Sequence, residues 1–272
     1  MARRTRLDAE LVRRGLARSR EHAAELVAAG AVEVAGMRAT KPATAVAADA
    51  SVRVRQDAGP SYASRGGHKL AGALAAFKEK GLAVAGRRCL DAGASTGGFT
   101  DVLLREGATE VVAVDVGYGQ LSWSLRTDER VRVLDRTNVR SLTPEQVGGT
   151  VSLTVADLSF ISLRLVLPAL AACTDRDGDL LPMVKPQFEV GRERLGSGGV
   201  VRDPALRTEA VLTVADVAGS LGLGTAGVVR SPLPGPAGNI EVFLWLRRDA
   251  PKPDPEHVAA AVSHADTPEE RR

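Results

Sequence analysis

Asp91-Ala-Gly-Ala-Ser-Thr-Gly-Gly-Phe-Thr100 is the stretch whose reading decides the fold. A short apolar strand pattern, 88–91, ends on an acid, glycines follow at 93, 97 and 98, and a helical pattern then takes over. Glycines there let the backbone turn tightly and leave room for a ligand at the carboxyl edge of a strand, beside a helix N-terminus. An acid at the strand end repels a pyrophosphate and attracts a cationic amino-acid head group. The expected cofactor is therefore S-adenosylmethionine. Asp115 closes a second strand 24 residues on, the distance at which an acid meets ribose hydroxyls in such folds. Asp135, ending a third strand, stands with Asn138 where the adenine would approach. The predicted cofactor contacts are Asp91, Gly93, Ser95, Thr96, Gly97, Gly98, Phe99, Asp115, Asp135 and Asp157.

Outward from this loop, short apolar strands alternate with amphipathic helices: strands are predicted at 88–91, 110–115, 131–134, 151–156 and 179–184. That alternation is the mark of a parallel sheet covered on both faces, an α/β domain. Asp203-Pro204 opens the last long helix in cap-then-proline order. Strands at 224–229 and 241–247 are joined by the Pro/Gly-rich turn 231–239, short enough to make them an antiparallel pair. A helix, 68–80, with Leu70, Leu74 and Phe77 on one face, leads into this domain. The expected divisions are a small domain 1–58, a linker 59–66, a large domain 67–248 and a tail 249–272 that is loose or only partly helical.

The composition bounds the function. With 272 residues, 25% charged and 44% hydrophobic, the chain reads as a folded protein, and no run approaches the roughly 18 apolar residues of a membrane span. Arg6 is followed by Leu-Asp-Ala-Glu10 where a secretory leader would continue apolar, so a cytoplasmic location is expected. Cys89 and Cys173 have no metal-ligand spacing; both are expected to be packed thiols, with no metal site. The net charge of +3 conceals an asymmetry: the first 20 residues hold seven arginines against two acids, so the basic excess is local. Such a field suits a polyanion.

Within the small domain, Asp8 is expected to cap a first helix ending near Gly15, and Ser19 a second ended by Gly30. Strands follow at 32–34 and 51–56. The pattern Arg6-Leu-Asp-x-x-Leu-Val-x-x-Gly-Leu-x-x-Ser-Arg-x-x-Ala-x-x-Leu-Val-x-x-Gly30-x-Val-x-Val-x-Gly36, with Lys41-Pro42 after it, resembles the S4 RNA-binding domain. The resemblance implies that the helix pair faces structured RNA, with Arg4, Arg6, Arg14, Arg18, Arg20 and Arg65 as RNA-binding candidates.

Asp157 stands after the fourth strand of the large domain, Lys185 after the fifth, and Glu241 begins the antiparallel seventh, so all three fall at one sheet edge; Lys69 lies on the entering helix. These residues resemble the Lys-Asp-Lys-Glu tetrad of FtsJ-like ribose 2′-O-methyltransferases. By that resemblance Lys185 binds the ribose hydroxyl and stabilises or receives its proton, Asp157 orients Lys185 and the methyl group, and Lys69 and Glu241 set charge and position. Ser64-Arg-Gly-Gly-His-Lys-Leu70, Asp115-Val-Gly-Tyr-Gly-Gln-Leu121, Asp157-Leu-Ser-Phe-Ile-Ser162, Val184-Lys-Pro-Gln-Phe-Glu189 and Pro234-Gly-Pro-Ala-Gly-Asn239 extend the likeness to the TlyA family. That family implies a Rossmann-like class I methyltransferase, with a seven-stranded mostly parallel sheet and a small N-terminal α+β S4 domain. It also implies S-adenosylmethionine-dependent methylation of cytidine ribose in 16S and/or 23S ribosomal RNA, within 30S and/or 50S subunits, linked to capreomycin and viomycin susceptibility. Some members carry the name hemolysin, but no strand set or span suited to a pore is visible.

Three other readings compete on the residues alone. A base amino-methyltransferase usually shows Asp/Asn-Pro-Pro-Tyr/Phe after the fourth strand to grip a flipped base; here stands Asp157-Leu-Ser-Phe160. A carbon-5 enzyme needs a nucleophilic cysteine there, and neither cysteine is placed for it. A ribosome-binding factor without catalysis would need no tetrad.

Overall fold

The computed structural model describes residues 4–28, 30–47, 49–54 and 62–263. The chain divides into two units, Met1–Arg65 and Gly66–Arg272. The linker expected at 59–66 falls partly outside the described residues, as does the end of the predicted strand 51–56.

In the first unit β1 (Arg4–Arg6) leads into α1 (Leu7–Arg13) and α2 (Arg20–Ala28), followed by β2 (Val32–Val34), β3 (Met37–Arg38), β4 (Ala45–Ala47) and β5 (Val52–Val54). Ser19 caps α2 as expected, its Oγ accepting from His22 N at 3.1 Å. Gly30, at φ +68°, supplies the left-handed turn that ends the helix. Asp8 is not the cap of α1: the helix starts at Leu7, with Arg6 at the cap position and no side-chain cap bond. The Asp8 carboxylate is drawn instead to the guanidinium groups of Arg6 and Arg20. β1 pairs with β4, and β2 lies between β3 and β5. The three-residue strands of the β1–β4 pair are too short to show an alternation, so no sequence pattern announces them. Leu7, Leu11, Ala23, Val27, Val32 and Val46 form the core.

In the second unit α3 (Arg65–Lys78) precedes β6 (Arg88–Ala92), α4 (Gly98–Arg105), β7 (Glu110–Val114), α5 (Trp123–Arg126), β8 (Val131–Leu134), α6 (Pro144–Val147), β9 (Val151–Ala156), α7 (Leu163–Cys173), β10 (Thr174–Val184), α8 (Pro204–Ser220), β11 (Gly224–Arg230), β12 (Val242–Arg247) and α9 (Pro255–Val262). The seven strands lie in the order β11-β12-β10-β9-β6-β7-β8. All neighbours are parallel except β12, which runs antiparallel to β10 and β11. Residues 111–114 of β7 and 89–92 of β6 are buried throughout, as strands covered on both faces require. Phe77 of α3 is 1% exposed and its ring lies 5.5 Å from that of Trp245; truncating such a ring to alanine costs roughly 3–5 kcal/mol.

Asp203 caps α8, accepting from Ala205 N at 2.8 Å, with Pro204 at the first helical position. Of the tail expected to be loose or only partly helical, residues 264–272 lie outside the described residues; α9 docks, with Val258 and Val262 fully buried in the main core and Arg207 Nη1 donating to Val262 O at 3.1 Å. Two prolines before the helix and a third, Pro255, at its first position hid two valines at i, i+4 spacing. Among the described residues no helix is long and apolar enough to cross a membrane. Cys89 and Cys173 are buried free thiols, pushed by burial up to about 12 and about 11.

Candidate active site

Asp91, last but one in β6, is fully buried. Its Oδ2 accepts from Thr100 Oγ1 at 2.7 Å, while Oδ1 has no hydrogen-bond partner among the described residues. Burial pushes this carboxyl up to about 7; the Thr100 hydrogen bond opposes that rise, and the charges of Asp157 and Asp115 reinforce it. A buried carboxylate with an unused oxygen is a receptor for a cationic donor. The site thus fits the ammonium head of S-adenosylmethionine.

The loop after Asp91 is shaped by packing as much as by ligand space. Gly93, at φ +90°, lies where a Cβ would come 2.5 Å from Asp157 O, and Gly97, at φ +99°, where one would meet Leu125 Cδ1 at 2.3 Å. Gly98 opens α4, Thr96 is half-buried and Ser95 is exposed. Phe99 points away from the loop into the core, its ring 5.9 Å from Phe243. Asp115 ties the first two strand ends together: its Oδ2 accepts from Ser95 N at 2.8 Å and its Oδ1 from Gly117 N at 2.7 Å. Asp135 pairs with Arg126 Nη2 at 2.9 Å and accepts from Gly119 N. Asn138 accepts from Arg140 N. The last two side chains are thus engaged by their own chain.

At the same edge, on the other side of β6, the structure assembles two ion pairs. Lys69 Nζ lies 2.5 Å from Glu241 Oε2, and Lys185 Nζ lies 2.6 Å from Asp157 Oδ1. Topology dictates the meeting. Val184 and Val242 are register partners across the β10–β12 pair, so Lys185 and Glu241 are the next residues outward on strands about 5 Å apart. β9 runs parallel to β10 and delivers Asp157 to the same edge. Lys69, Lys185 and Glu241 are each less than a tenth exposed, whereas the Asp157 side chain is 22% exposed. Two lysines and two carboxylates leave this cluster near neutrality.

Sequence reasoning missed three residues at this edge, two of them against the ion pairs. Ser159 Oγ accepts from Lys185 Nζ at 2.9 Å. A Cβ at Gly235 would stand 2.6 Å from Glu241 Oε1. Glu189, buried, accepts from Ser162 Oγ at 2.5 Å and Leu163 N at 2.7 Å. All three lie inside the TlyA-like stretches 157–162, 184–189 and 234–239, but only the folded chain gives them partners.

In the first unit the acids are not dispersed among the arginines but buried beneath them. Asp8, 5% exposed, pairs with Arg6 at 2.8 Å and Arg20 at 3.0 Å; Glu10, 1% exposed, pairs with Arg13 at 2.5 Å and Arg14 at 2.7 Å. Arg18 Nη2 donates to the carbonyls of Tyr62 and Ala63. Arg4 is exposed on β1 and Arg65 half-buried at the start of α3. The side chains of Arg6, Arg13 and Arg20 remain more than half exposed, so their outer faces stay open to a polyanion. Among the described residues no group of three or more His, Cys, Asp or Glu is placed to hold a metal ion.

A seven-stranded sheet with this strand order, an acid-glycine loop at its centre and charged residues beside it defines a class I methyltransferase fold. Residues 62–248 match the FtsJ-like methyltransferases and residues 5–52 the S4 domain. The chain is 64% identical over 247 residues to the Mycobacterium tuberculosis protein named 16S/23S rRNA (cytidine-2′-O)-methyltransferase TlyA, with 91% of each covered. It is 36% identical to hemolysin A of Brachyspira hyodysenteriae, covering 87% of this chain and 97% of that protein. A solved structure of a hemolysin candidate from Streptococcus thermophilus has a TM-score of 0.75 at 40% identity, covering 96% of this chain and 95% of that one. The chain belongs to the FtsJ-like methyltransferase family, in its TlyA branch.

Proposed function

We propose that this protein methylates the ribose 2′-hydroxyl of a cytidine in 16S and/or 23S ribosomal RNA, within 30S and/or 50S subunits, using S-adenosylmethionine. The observation that carries the reading is the pairing of Lys185 with Asp157 and of Lys69 with Glu241 at the sheet edge beside Asp91. The cofactor, when bound, supplies an electrophilic methyl on a sulfonium. Asp91 would receive its ammonium group, and Asp115 and Asp135 would bound the rest of its site. A ribose hydroxyl is a weak nucleophile, so it must be oriented and lose its proton during attack. Lys185 faces the hydroxyl: as an amine it takes the proton, and as an ammonium it stabilises the oxygen's developing charge. Asp157 fixes the direction of Lys185. The Lys69–Glu241 pair holds the adjoining wall and balances charge. Much of the rate comes from in-line positioning.

The first unit, with its exposed arginines Arg4, Arg6 and Arg20, contributes affinity for RNA phosphates. An enzyme acting on ribosomal subunits works in the cytoplasm, and its product ties it to capreomycin and viomycin susceptibility. Tritiated methyl transfer to isolated subunits, followed by alkaline hydrolysis, tests the assignment. Label in alkali-resistant dinucleotides is the expected result, because a 2′-O-methyl ribose blocks cleavage beside it. Label in mononucleotides would move the methyl to a base, and no label would leave a binding factor.

A further inference from the structure

The groups proposed to act on the ribose sit on two loops, 157–162 leaving β9 and 185–189 leaving β10. Lys185 joins them at their inner ends, through Asp157 and Ser159. Ser159 is exposed and Asp157 partly so, and an ion pair in contact with water holds position weakly. Phe160, between the ends, is 92% exposed and adopts φ +64°, with its ring 5.3 Å from that of Phe188. A bulky residue stays in that backbone region only when its surroundings hold it there.

The outer ends are held by Glu189, 7% exposed. Both its oxygens are taken by the opposite loop: Oε2 by the Ser162 hydroxyl at 2.5 Å, and Oε1 by Leu163 N, the first amide of α7, at 2.7 Å. Arg164 Nε stands 3.5 Å from Oε2. A carboxylate at the start of an 11-residue helix also gains from the helix dipole. Burial raises the Glu189 pKa, and the Ser162 and Leu163 hydrogen bonds oppose that rise. Burying a carboxylate is costly unless it is fully hydrogen-bonded, and here it is spanned by donors from one direction. It acts as a clamp.

We propose that Glu189 is a positioning residue for methyl transfer: by fixing the start of α7 it keeps Asp157 and Ser159 in register with Lys185. The proposal rests on the role given to Lys185 above. Glu189→Gln keeps the shape but turns an NH2 toward one of two N–H or O–H donors. The expected result is a fall in kcat on the order of 10–100-fold, the effect of a misplacement near 1 Å, with KM for subunits and cofactor affinity within about threefold. Ser162→Ala should reproduce part of the fall, Ser162→Thr should restore it, and Glu189→Gln with Ser162→Ala should be no worse than Glu189→Gln alone. A folded Glu189→Gln variant with the parent's kcat overturns the proposal. If Glu189→Gln does not fold, the Ser162 pair decides, and equal kcat for Ser162→Ala and Ser162→Thr overturns it. If the parent transfers no methyl to ribosomal RNA, lysine-selective carbon NMR of the free enzyme decides. The charged groups facing Lys185 are Asp157 and, on the adjoining strand end, the Lys69–Glu241 pair. An altered Lys185 titration in Ser162→Ala or Glu189→Gln supports the clamp, and an unaltered one removes it.

Discussion

Lys69 and Glu241, 172 residues apart in the chain, meet at 2.5 Å, with 7% and 1% of their surfaces exposed. Glu241 Oε1 is buried and has no partner among the described residues, and it faces Gly235 so closely that a Cβ there would stand 2.6 Å away. The pair is the buried half of the charged cluster; Lys185 and Asp157 are the half nearer solvent.

Removing one member of the buried pair strands the other charge. Lys69→Met or Glu241→Leu should each lower unfolding free energy by about 3–5 kcal/mol, and the double variant by less than their sum. Urea unfolding of the four proteins checks this, and additive losses would mean that the two charges do not depend on each other.

Lys185→Ala should abolish methyl transfer while leaving S-adenosylmethionine affinity within a few-fold, since Lys185 Nζ is bound to Asp157 and Ser159 and not to the Asp91 loop. Turnover equal to the parent's would remove Lys185 from the chemistry; calorimetry measures the affinity.

Asp91 rises to about 7 in the free protein, so a cationic ligand binds only after its proton leaves below that pH. Cofactor affinity should weaken as pH falls below about 7, by up to tenfold per unit, with proton release seen as a buffer-dependent binding enthalpy. Asp91→Asn should bind weakly at every pH. Stability moves the other way. A carboxyl raised above its unfolded value near 3.9 favours folding most at low pH, and that contribution is lost as pH climbs through about 7. Binding that is flat between pH 6 and 8 would separate Asp91 from the ligand's charge.

Replacing Arg14, Arg18 and Arg20 together with glutamine should weaken subunit binding and make its salt dependence shallower, by about one power of salt for each phosphate left without its arginine. The same change also weakens the fold, because Arg14 and Arg20 hold Glu10 and Asp8. Hydrogen bonds from Arg6 first and Arg20 after it keep Asp8 well below the usual carboxylate range, and those from Arg13 first and Arg14 after it bring Glu10 down to about 2. Their support for the fold is present above about pH 4 and lost as pH falls through the folded values. Circular dichroism should therefore show less acid sensitivity in the triple variant, from a lower neutral stability. An unchanged salt slope would count against this surface.

The Asp91 loop, the strand-helix alternation and the helix pair of the first unit were legible in the sequence because each is a local pattern: glycine at a turn, apolar residues at period two or near four, a cap before a helix. Residue types at strand ends were legible too, which is how Asp157, Lys185 and Glu241 came to one sheet edge from the linear chain alone. Tertiary structure decided the partners. That Lys69 takes Glu241, that Asp8 and Glu10 sink beneath arginines, that Phe99 turns into the core and that Glu189 spans two loops depend on strand order and on how separate segments pack. Hydrogen bonds of that kind have no period to read, since their geometry exists only once the sheet has set its neighbours.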